Sequence, residues 1–520
     1  MSSNQRPQPA ADGEFPPLHG AQLVLLTVAV AAATFMEVLD TTIVNVSVPA
    51  IAGSLGVSPS EGTWTVSSYS LAAAIMQPLT GWIGRRFGEV RTFVTSMLLF
   101  VAFSALCGLA TSMNMLVISR LMQGLVSGPM VAIAQALLLR NYPPEKRGMA
   151  MGLWAMVVIV APIFGPILGG WITDNLSWPW VFYINLPVGL LGAWLTWSIL
   201  KKRESKKVIV PIDITGLLLL VVGVGCLQFM LDNGNEKDWF GSTEIIVTCV
   251  IAVIALVYLV AWELTDKHPV LDLHLFKERN FLVGTSAISL GYFAFFGVNV
   301  VFPLWLQTTL GYTASKAGLA MAPIGIFAIV MAPLIGGNIQ RLNLRLVASC
   351  AFTIFSIGMI WVAGLNEQAT FWQLSAPRLW QGLGIPMFFL PLNMILMSHV
   401  KPNELAAASG LSNFLRTIAG SISTAISVYL MNHRADVHHT VLAEHVRADA
   451  AGWQNTLRTL HGMGWSDQHA LGYAERVVSQ QAATLAVNDI YMLFAVIFVL
   501  LIPLVWFARP PFGARMGGAH

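Results

Sequence analysis

From residue 21 onward the chain alternates between apolar stretches of about twenty residues and short polar connections. That is the length a helix needs to cross the hydrocarbon of a bilayer. The stretches run near 21–50, 62–84, 91–111, 114–140, 148–172, 178–200, 212–232, 243–263, 280–306, 317–337, 344–364, 373–398, 405–430 and 488–508. Lipid offers no partner to backbone polar groups, so such a chain must be all-helical. The expectation is an all-α polytopic membrane protein with fourteen transmembrane helices. Charged residues make up 11% of the chain, against roughly 25% in ordinary soluble domains. A net charge of +3 gives no basis for nucleic-acid binding.

The Lys and Arg residues fix the orientation. With an even number of crossings the termini share one side, which carries twenty of the 29 basic residues, including Arg85, Arg86 and Arg91 and the run Lys201–Lys207. The opposite side carries six: Lys237, Lys316, Arg434, Arg447, Arg458 and Arg476. Both termini are therefore expected in the cytoplasm. Arg120, Arg378 and Arg416 fall inside spans. Residues 1–18 are polar and Pro-rich, without a basic segment leading into a short apolar core, so a cleaved signal peptide is not expected. Cys107, Cys226, Cys249 and Cys350 all fall in apolar stretches without metal-ligand spacing and read as small buried side chains.

The chain repeats itself. Arg120-Leu121-Met122-Gln123-Gly124 returns as Arg378-Leu379-Trp380-Gln381-Gly382, and Gly152-Leu153 as Gly410-Leu411 at the same spacing. Gly81 and Arg85 return as Gly337 and Arg341. Spans one to six and nine to fourteen thus read as two homologous six-helix halves, with two inserted helices between them. Parallel six-span halves around a midplane site are a transporter architecture. The organisation expected is a tail over 1–20, a first half over 21–200, the inserted pair with its loops over 201–279, a second half over 280–508 and a tail over 509–520. The second half includes an outer loop, 431–487, with His433, His438, His439, His445, His461 and His469. Their spacing fits no metal template, and a folded outer cap or docking surface is expected instead.

One stretch carries the chemistry. Glu37 and Asp40 lie three residues apart in the first span, on roughly one helix face. A charge at bilayer depth costs about 2.5–3.5 kcal/mol on insertion scales, and such residues face a bundle interior or a wet cavity. Gaining or losing a proton removes or restores that cost, which suits a carboxylate to carry protons. The alternative is a structural carboxylate held by Asn45, Thr41 or Thr42. Arg120, inside the fourth span, needs a partner or a wet cavity of its own. Close to a carboxylate it favours the ionised form, and at a distance it permits protonation. The alternative for Arg120 is a structural salt bridge or a clamp on backbone carbonyls. Arg378 has no intramembrane acid in its own half and reads as structural.

Several segments carry a family resemblance. Leu39-Asp40-Thr41-Thr42-Ile43-Val44-Asn45-Val46-Ser47-Val48-Pro49, Trp64-Thr65-Val66-Ser67-Ser68-Tyr69-Ser70-Leu71 and Trp178–Gly189 are three of them. Gly81-Trp82-Ile83-Gly84-Arg85-Arg86-Phe87-Gly88-Glu89-Val90-Arg91 is a fourth. Ala161-Pro162-Ile163-Phe164-Gly165-Pro166-Ile167-Leu168-Gly169-Gly170 is a fifth, and the ending Trp506–Gly513 with a terminal Gly-Gly-Ala-His is the last. Together these segments resemble the fourteen-span drug–proton antiporters of the major facilitator superfamily, over essentially the whole chain.

The resemblance implies a major facilitator fold, a proton as coupling ion and no other cofactor. It makes Asp40 the first choice for proton carrier, Glu37 a second site and Arg120 with Gln123 and Gly124 the coupling motif. The conformational motif residues are Gly81, Arg85, Arg86, Gly88 and Arg91, and Gly165, Pro166, Gly169 and Gly170. The loop motif departs from the family at Arg85, where an Asp is usual, so its charge latch is not assumed; Glu89 is a substitute acid. Arg85, Arg86 and Arg91 also serve simply to set orientation. The fifth-span motif departs at Ala161, and the second half has Gly420-Ser421-Ile422-Ser423 in place of the Gly-Pro pair. Small residues permit close helix packing and Pro166 bends its span.

An apolar cavity between the halves with a few polar groups is expected to hold the substrate. Its candidates are Tyr69, Gln77, Tyr292, Phe293, Phe296, Asn299, Trp305, Gln307, Phe388, Asn393 and Asn413, each of which packing alone would also explain. The function implied is export of hydrophobic drugs and toxic compounds from the bacterial inner membrane. The resemblance further implies a tripartite system with a periplasmic membrane-fusion adaptor and an outer-membrane channel of the TolC type. Export of a specific metabolite, antibiotic or lipid is the alternative on the same fold, and a non-transporting membrane sensor the alternative of another class. The sequence shows no nucleophile–base constellation, and its loops are short, so no enzyme is expected. It has no Gly-x-x-x-x-Gly-Lys-Ser/Thr loop for ATP.

Overall fold

The structure is a computed structural model that describes residues 15–57, 59–143, 146–205, 207–208, 211–266, 269–339, 341–401, 404–446 and 450–512. All regular structure among these residues is helical. The first half holds α1 (Gly20–Leu55), α2 (Pro59–Met76), α3 (Thr80–Phe87), α4 (Glu89–Gly108), α5 (Met113–Asn141), α6 (Arg147–Asn175), α7 (Trp180–Tyr183) and α8 (Asn185–Leu200). Next come α9 (Ile214–Asn233) and α10 (Thr243–Glu263). The second half holds α11 (Arg279–Thr308), α12 (Ala314–Met321), α13 (Pro323–Asn338), α14 (Leu344–Ala363), α15 (Phe371–Met397), α16 (Leu405–Ala443), α17 (Ala451–Gly462) and α18 (Asp467–Trp506).

Twelve helical segments are long and apolar enough to cross a membrane, and α6, bent by 42° between Pro162 and Ile167, makes a thirteenth. The fourteenth place belongs to α2 with α3, whose apolar run is diluted by Ser67, Ser68 and Ser70 and broken at Pro78. The chain therefore returns to the face it started from. Leu18 N–H donates to the Asn141 carbonyl at the end of α5, and Arg203 donates to the Pro16 carbonyl. Near the other terminus, Arg279 Nε donates to the Phe507 carbonyl at 2.6 Å. This is the terminal face.

The first six spans close into one bundle, α1 packing on α6, α8 and α2, and α4 on α5 and α8. In the second bundle α14 packs on α15 and α18, and α16 on α11 and α18. Helices α9 and α10 pack on each other, and α9 touches α2 and α16. Outward-facing Leu218, Ile254, Val257 and Leu191 leave an apolar belt that only lipid can cover.

Repeat-related glycines make repeat-related contacts. A Cβ on Gly124 would strike the Tyr69 carbonyl of α2, and one on Gly382 the Ile324 carbonyl of α13. Gly152 of α6 abuts Ala332 and Gly336 of the other half; Gly410 of α16 abuts Gln77 and Thr80 of the first. At the terminal side of the bundle, a Cβ on Gly81 would lie 2.5 Å from that of Ala407. Gln135 of α5 donates through Nε2 to Asn393 Oδ1 of α15 at 3.2 Å, and these two residues are themselves repeat mates. Thr417 Oγ1 donates to Gln77 Oε1 at 3.0 Å. The halves are thus closed against each other toward the terminal face.

On the opposite face α16 and α18 run on well past the bilayer. At about 1.5 Å per residue each is near 60 Å long, twice the hydrocarbon thickness. Their extensions carry α17 on a small core of Trp453, Leu460, Ala470 and Ala474. Arg434 and His438 both bind Asp489 Oδ2, at 2.6 and 2.8 Å; His439 meets Glu475 at 3.0 Å and His461 meets Asp467 at 2.6 Å. His433 stacks on Tyr429 and His469 meets Ser466, while the His445 side chain lies outside the described residues. Among the described residues no three His, Cys, Asp or Glu groups are placed to hold a metal.

Candidate functional site

Asp40 and Arg120 meet at the centre of the first bundle, both fully buried. Arg120 Nη1 donates to Asp40 Oδ2 at 2.5 Å and to Gln123 Oε1 at 2.8 Å, while Nε donates to the Thr65 carbonyl at 2.9 Å. The guanidinium carbon lies 4.2 Å from the centre of the Tyr69 ring, a cation–π contact, and 5.6 Å from that of Phe182. The second Asp40 oxygen accepts from Asn185 Nδ2 at 2.8 Å. That amide also donates to Ser104 Oγ, which donates on to the Phe182 carbonyl. Five spans therefore converge on one carboxylate. Thr41 and Thr42 bond back to carbonyls of their own helix, and Asn45 is exposed, so none of the three holds Asp40.

The fifth-span glycines sit beside this carboxylate. A Cβ on Gly165 would strike the Thr42 hydroxyl, and one on Gly169 would lie 2.6 Å from the Ile43 carbonyl. These contacts fall on α1 just past Asp40, so any shift of α6 is felt by the segment that carries the acid. Gly170 follows on the same helix, and the Pro166 side chain lies outside the described residues.

Glu37 lies between this cluster and the other half. Its side chain is buried, one oxygen (Oε2) has no hydrogen-bond partner among the described residues, and it interacts electrostatically with Asp40 and, less strongly, with Arg416 of α16. Arg416 Nη2 donates to Asn413 Oδ1 at 2.6 Å, and its guanidinium lies 5.5 Å from the Tyr292 ring and 6.0 Å from Phe389. Phe296 stacks on Tyr292.

The remaining candidates for substrate contact divide by place. Tyr69 lies under Arg120; Gln77 and Asn393 join the halves. Phe293, Trp305 and Phe388 pack inside the second bundle, against Phe494, Thr484 and Phe355. Asn299 bonds back to Phe295, and Gln307 is exposed and bonds back to Pro303. Of the expected set, Tyr292, Phe296 and Asn413 gather around Arg416. The repeat mate Arg378 has no acid: it donates to Tyr491 and Gln381 and lies on the Phe302 ring, 4.1 Å from its centre.

This architecture matches a structure of the proton:xylose symporter XylE with a TM-score of 0.58, at 15% identity over 94% of this chain and 95% of that one. The sequence matches the family model of the Major Facilitator Superfamily over residues 30–424. The chain belongs to the major facilitator superfamily. Among its superfamily relatives, the multidrug export protein EmrB of Haemophilus influenzae is 47% identical, over 96% of this chain and 99% of its own. EmrB of Escherichia coli K12 is 46% identical over 96% and 98%, and the fatty acid resistance protein FarB of Neisseria gonorrhoeae 45% over 97% and 100%.

The superfamily loop motif is built differently here. Gly88 has φ +94°, and the Glu204 carboxylate occupies the space a side chain would take, accepting Val90 and Arg91 N–H at 3.0 Å each. It caps the start of α4. Glu89 pairs with Arg140 at 2.8 Å. Arg91 is exposed, Arg86 is half-buried, and the Arg85 carbonyl accepts from Val208 N–H. Sequence reasoning did not single out Thr65, Ser104 and Asn185 as partners of the buried pair, nor Glu204 as a cap. Asn185 was quotable only as part of the sixth-span segment; a polar side chain in an otherwise apolar run was its one signal.

Proposed function

We propose that this protein exports hydrophobic drugs and toxic compounds in exchange for protons, by alternating access of its two halves. The observation that carries this reading is the sealed Asp40–Arg120 pair at 2.5 Å on a helix that α6 grips by its glycines. A carboxylate with every donor supplied by protein cannot exchange a proton until Arg120 draws away. A rearrangement that parts them exposes Asp40 to protonation, and its reversal returns the proton. Asp40 is then the proton carrier, Arg120 its modulator and Glu37 a second acidic group facing the substrate path. The names of the EmrB relatives support multidrug export.

The basic bias of the terminal face supports placing it in the cytoplasm, with the protein in the bacterial inner membrane. The extended outer helices of α16–α18 supply a surface for a periplasmic adaptor leading to a TolC-type channel. A second cargo, hydrophobic acids, is favoured by the relative named for fatty acid resistance.

The test is drug-induced proton release in proteoliposomes. Wild type should release protons on adding drug; Asp40→Asn should bind drug and release none. Full coupling in Asp40→Asn would move the role to Glu37. No coupling in wild type supplied with its partners would overturn the exchange reading and leave a membrane sensor.

A further inference from the structure

Three arginines lie inside the membrane, and they are not equivalent. Arg120 and Arg378 are fully buried inside their own bundles and donate to carboxylate, amide, phenol or carbonyl oxygens there, although Arg120 Nη2 and Arg378 Nε find no acceptor among the described residues. Arg416 is half-buried, on the side of α16 that faces the first bundle. It lies about 16 Å along α16, near the middle of the hydrocarbon. A guanidinium has five N–H donors. Only Nη2 has an acceptor among the described residues, Asn413 Oδ1 at 2.6 Å, and no carboxylate oxygen there lies within ion-pair distance.

Beyond Asn413 Oδ1, no acceptor among the described residues reaches Arg416. Asn413 is buried, its oxygen is committed to Arg416, and its Nδ2 donates to nothing among the described residues. Arginine and amide therefore both present unused N–H groups at one spot, and that of Asn413 is buried, where an unmatched donor is costly. Tyr292 and Phe389 flank the guanidinium, and Gly420, one turn further along α16, lets the Tyr292 ring pack close against that helix. Across the interface Glu37 is, among the described residues, the one acid that acts on Arg416, and its own Oε2 has no hydrogen-bond partner there. The acid of one half and the arginine of the other face each other without joining.

We propose that Arg416, with Asn413, reads the charge of the substrate by receiving the acid group of an amphiphilic anion while Tyr292 and Phe389 take up its apolar body. Glu37 is the resident acid that competes for Arg416 and reclaims it when the substrate leaves. This assignment rests on the export reading for its purpose, but its test does not.

The probe is a dansyl-labelled undecanoic acid, compared with its methyl ester, titrated against the full-length protein in nanodiscs and read by dansyl fluorescence. Wild type should bind the acid more tightly than the ester. Arg416→Gln should lose about tenfold or more in acid affinity, the size of a lost charge-assisted hydrogen bond, and keep its ester affinity. Arg416→Lys should recover part of the loss, and Glu37→Gln should bind the acid more tightly than wild type. Equal binding of acid and ester by wild type overturns the proposal, as does an Arg416→Gln variant that weakens both alike. If Arg416→Gln does not fold, Asn413→Leu read the same way decides it. Proton-driven uptake of a neutral dye into proteoliposomes tests export separately, so the two readings fail independently.

Discussion

The Asp40–Arg120 pair shows what a buried charge needs. Taking two ions out of water is unfavourable by several kcal/mol each, and attraction offsets this only when the remaining lone pairs and donors are also satisfied. Here Asn185, Gln123 and the Thr65 carbonyl do most of that work, leaving Arg120 Nη2 and Gln123 Nε2 without a partner among the described residues. Removing one partner should cost more than removing both. Arg120→Gln is expected to lower unfolding stability by about 3–5 kcal/mol, and Asp40→Asn combined with Arg120→Gln to recover most of it. Thermal unfolding of the three proteins in one detergent checks this; equal losses in the single and double variants would show that the pair contributes nothing. Asn185→Ala should cost a smaller amount, about 1–3 kcal/mol, for the donor it takes from Asp40.

Helices pack as closely as their smallest residues allow, and α6 against α1 is the tightest case beside the acid. Gly169→Val should cost about 1–3 kcal/mol of overpacking and stop transport by pushing α1 and α6 apart. Gly337→Val, at a glycine with nothing within 4 Å, should transport normally. A dye-efflux assay on matched expression levels separates them; equal activity would detach α6 from the coupling step. The helices themselves were legible because a bilayer imposes one length and one composition on every crossing. The breaks at Pro78 and before Pro323 follow from proline and were visible in principle. What the residues did not disclose is registry between spans. That Gly81 meets Ala407, or that Thr65 offers its carbonyl to Arg120, depends on the depth and rotation of helices far apart in sequence. Asp40 and Arg120 stood out because charge inside lipid is rare, whereas Asn185 and Ser104 did not, because polar uncharged groups inside spans are common. The same limit scattered the expected substrate contacts, several of which point into the second bundle.

At the scale of the whole molecule, closure toward the terminal face rests on a few pairs of small or amide residues. Cysteines at 81 and 407 would bring their Cβ atoms within disulfide range after a small adjustment. Gly81→Cys with Ala407→Cys, in a background with Cys107, Cys226, Cys249 and Cys350 replaced, should therefore stop transport when oxidised and resume it on reduction. Continued transport by the oxidised protein would show that this contact does not open during the cycle.

The bond between Gln135 and Asn393 has an evolutionary reading. A residue that touches its own repeat mate lies on the axis relating the halves. In a two-fold dimer of identical six-helix chains, that position would meet its own copy, so every change there would be made twice. Fusion into one polypeptide removes that bond of identity. The axis can then hold a glutamine against an asparagine, and one half can keep an arginine paired with an acid while its twin settles on a tyrosine. Such inequality lets the two halves of one transporter take on different tasks.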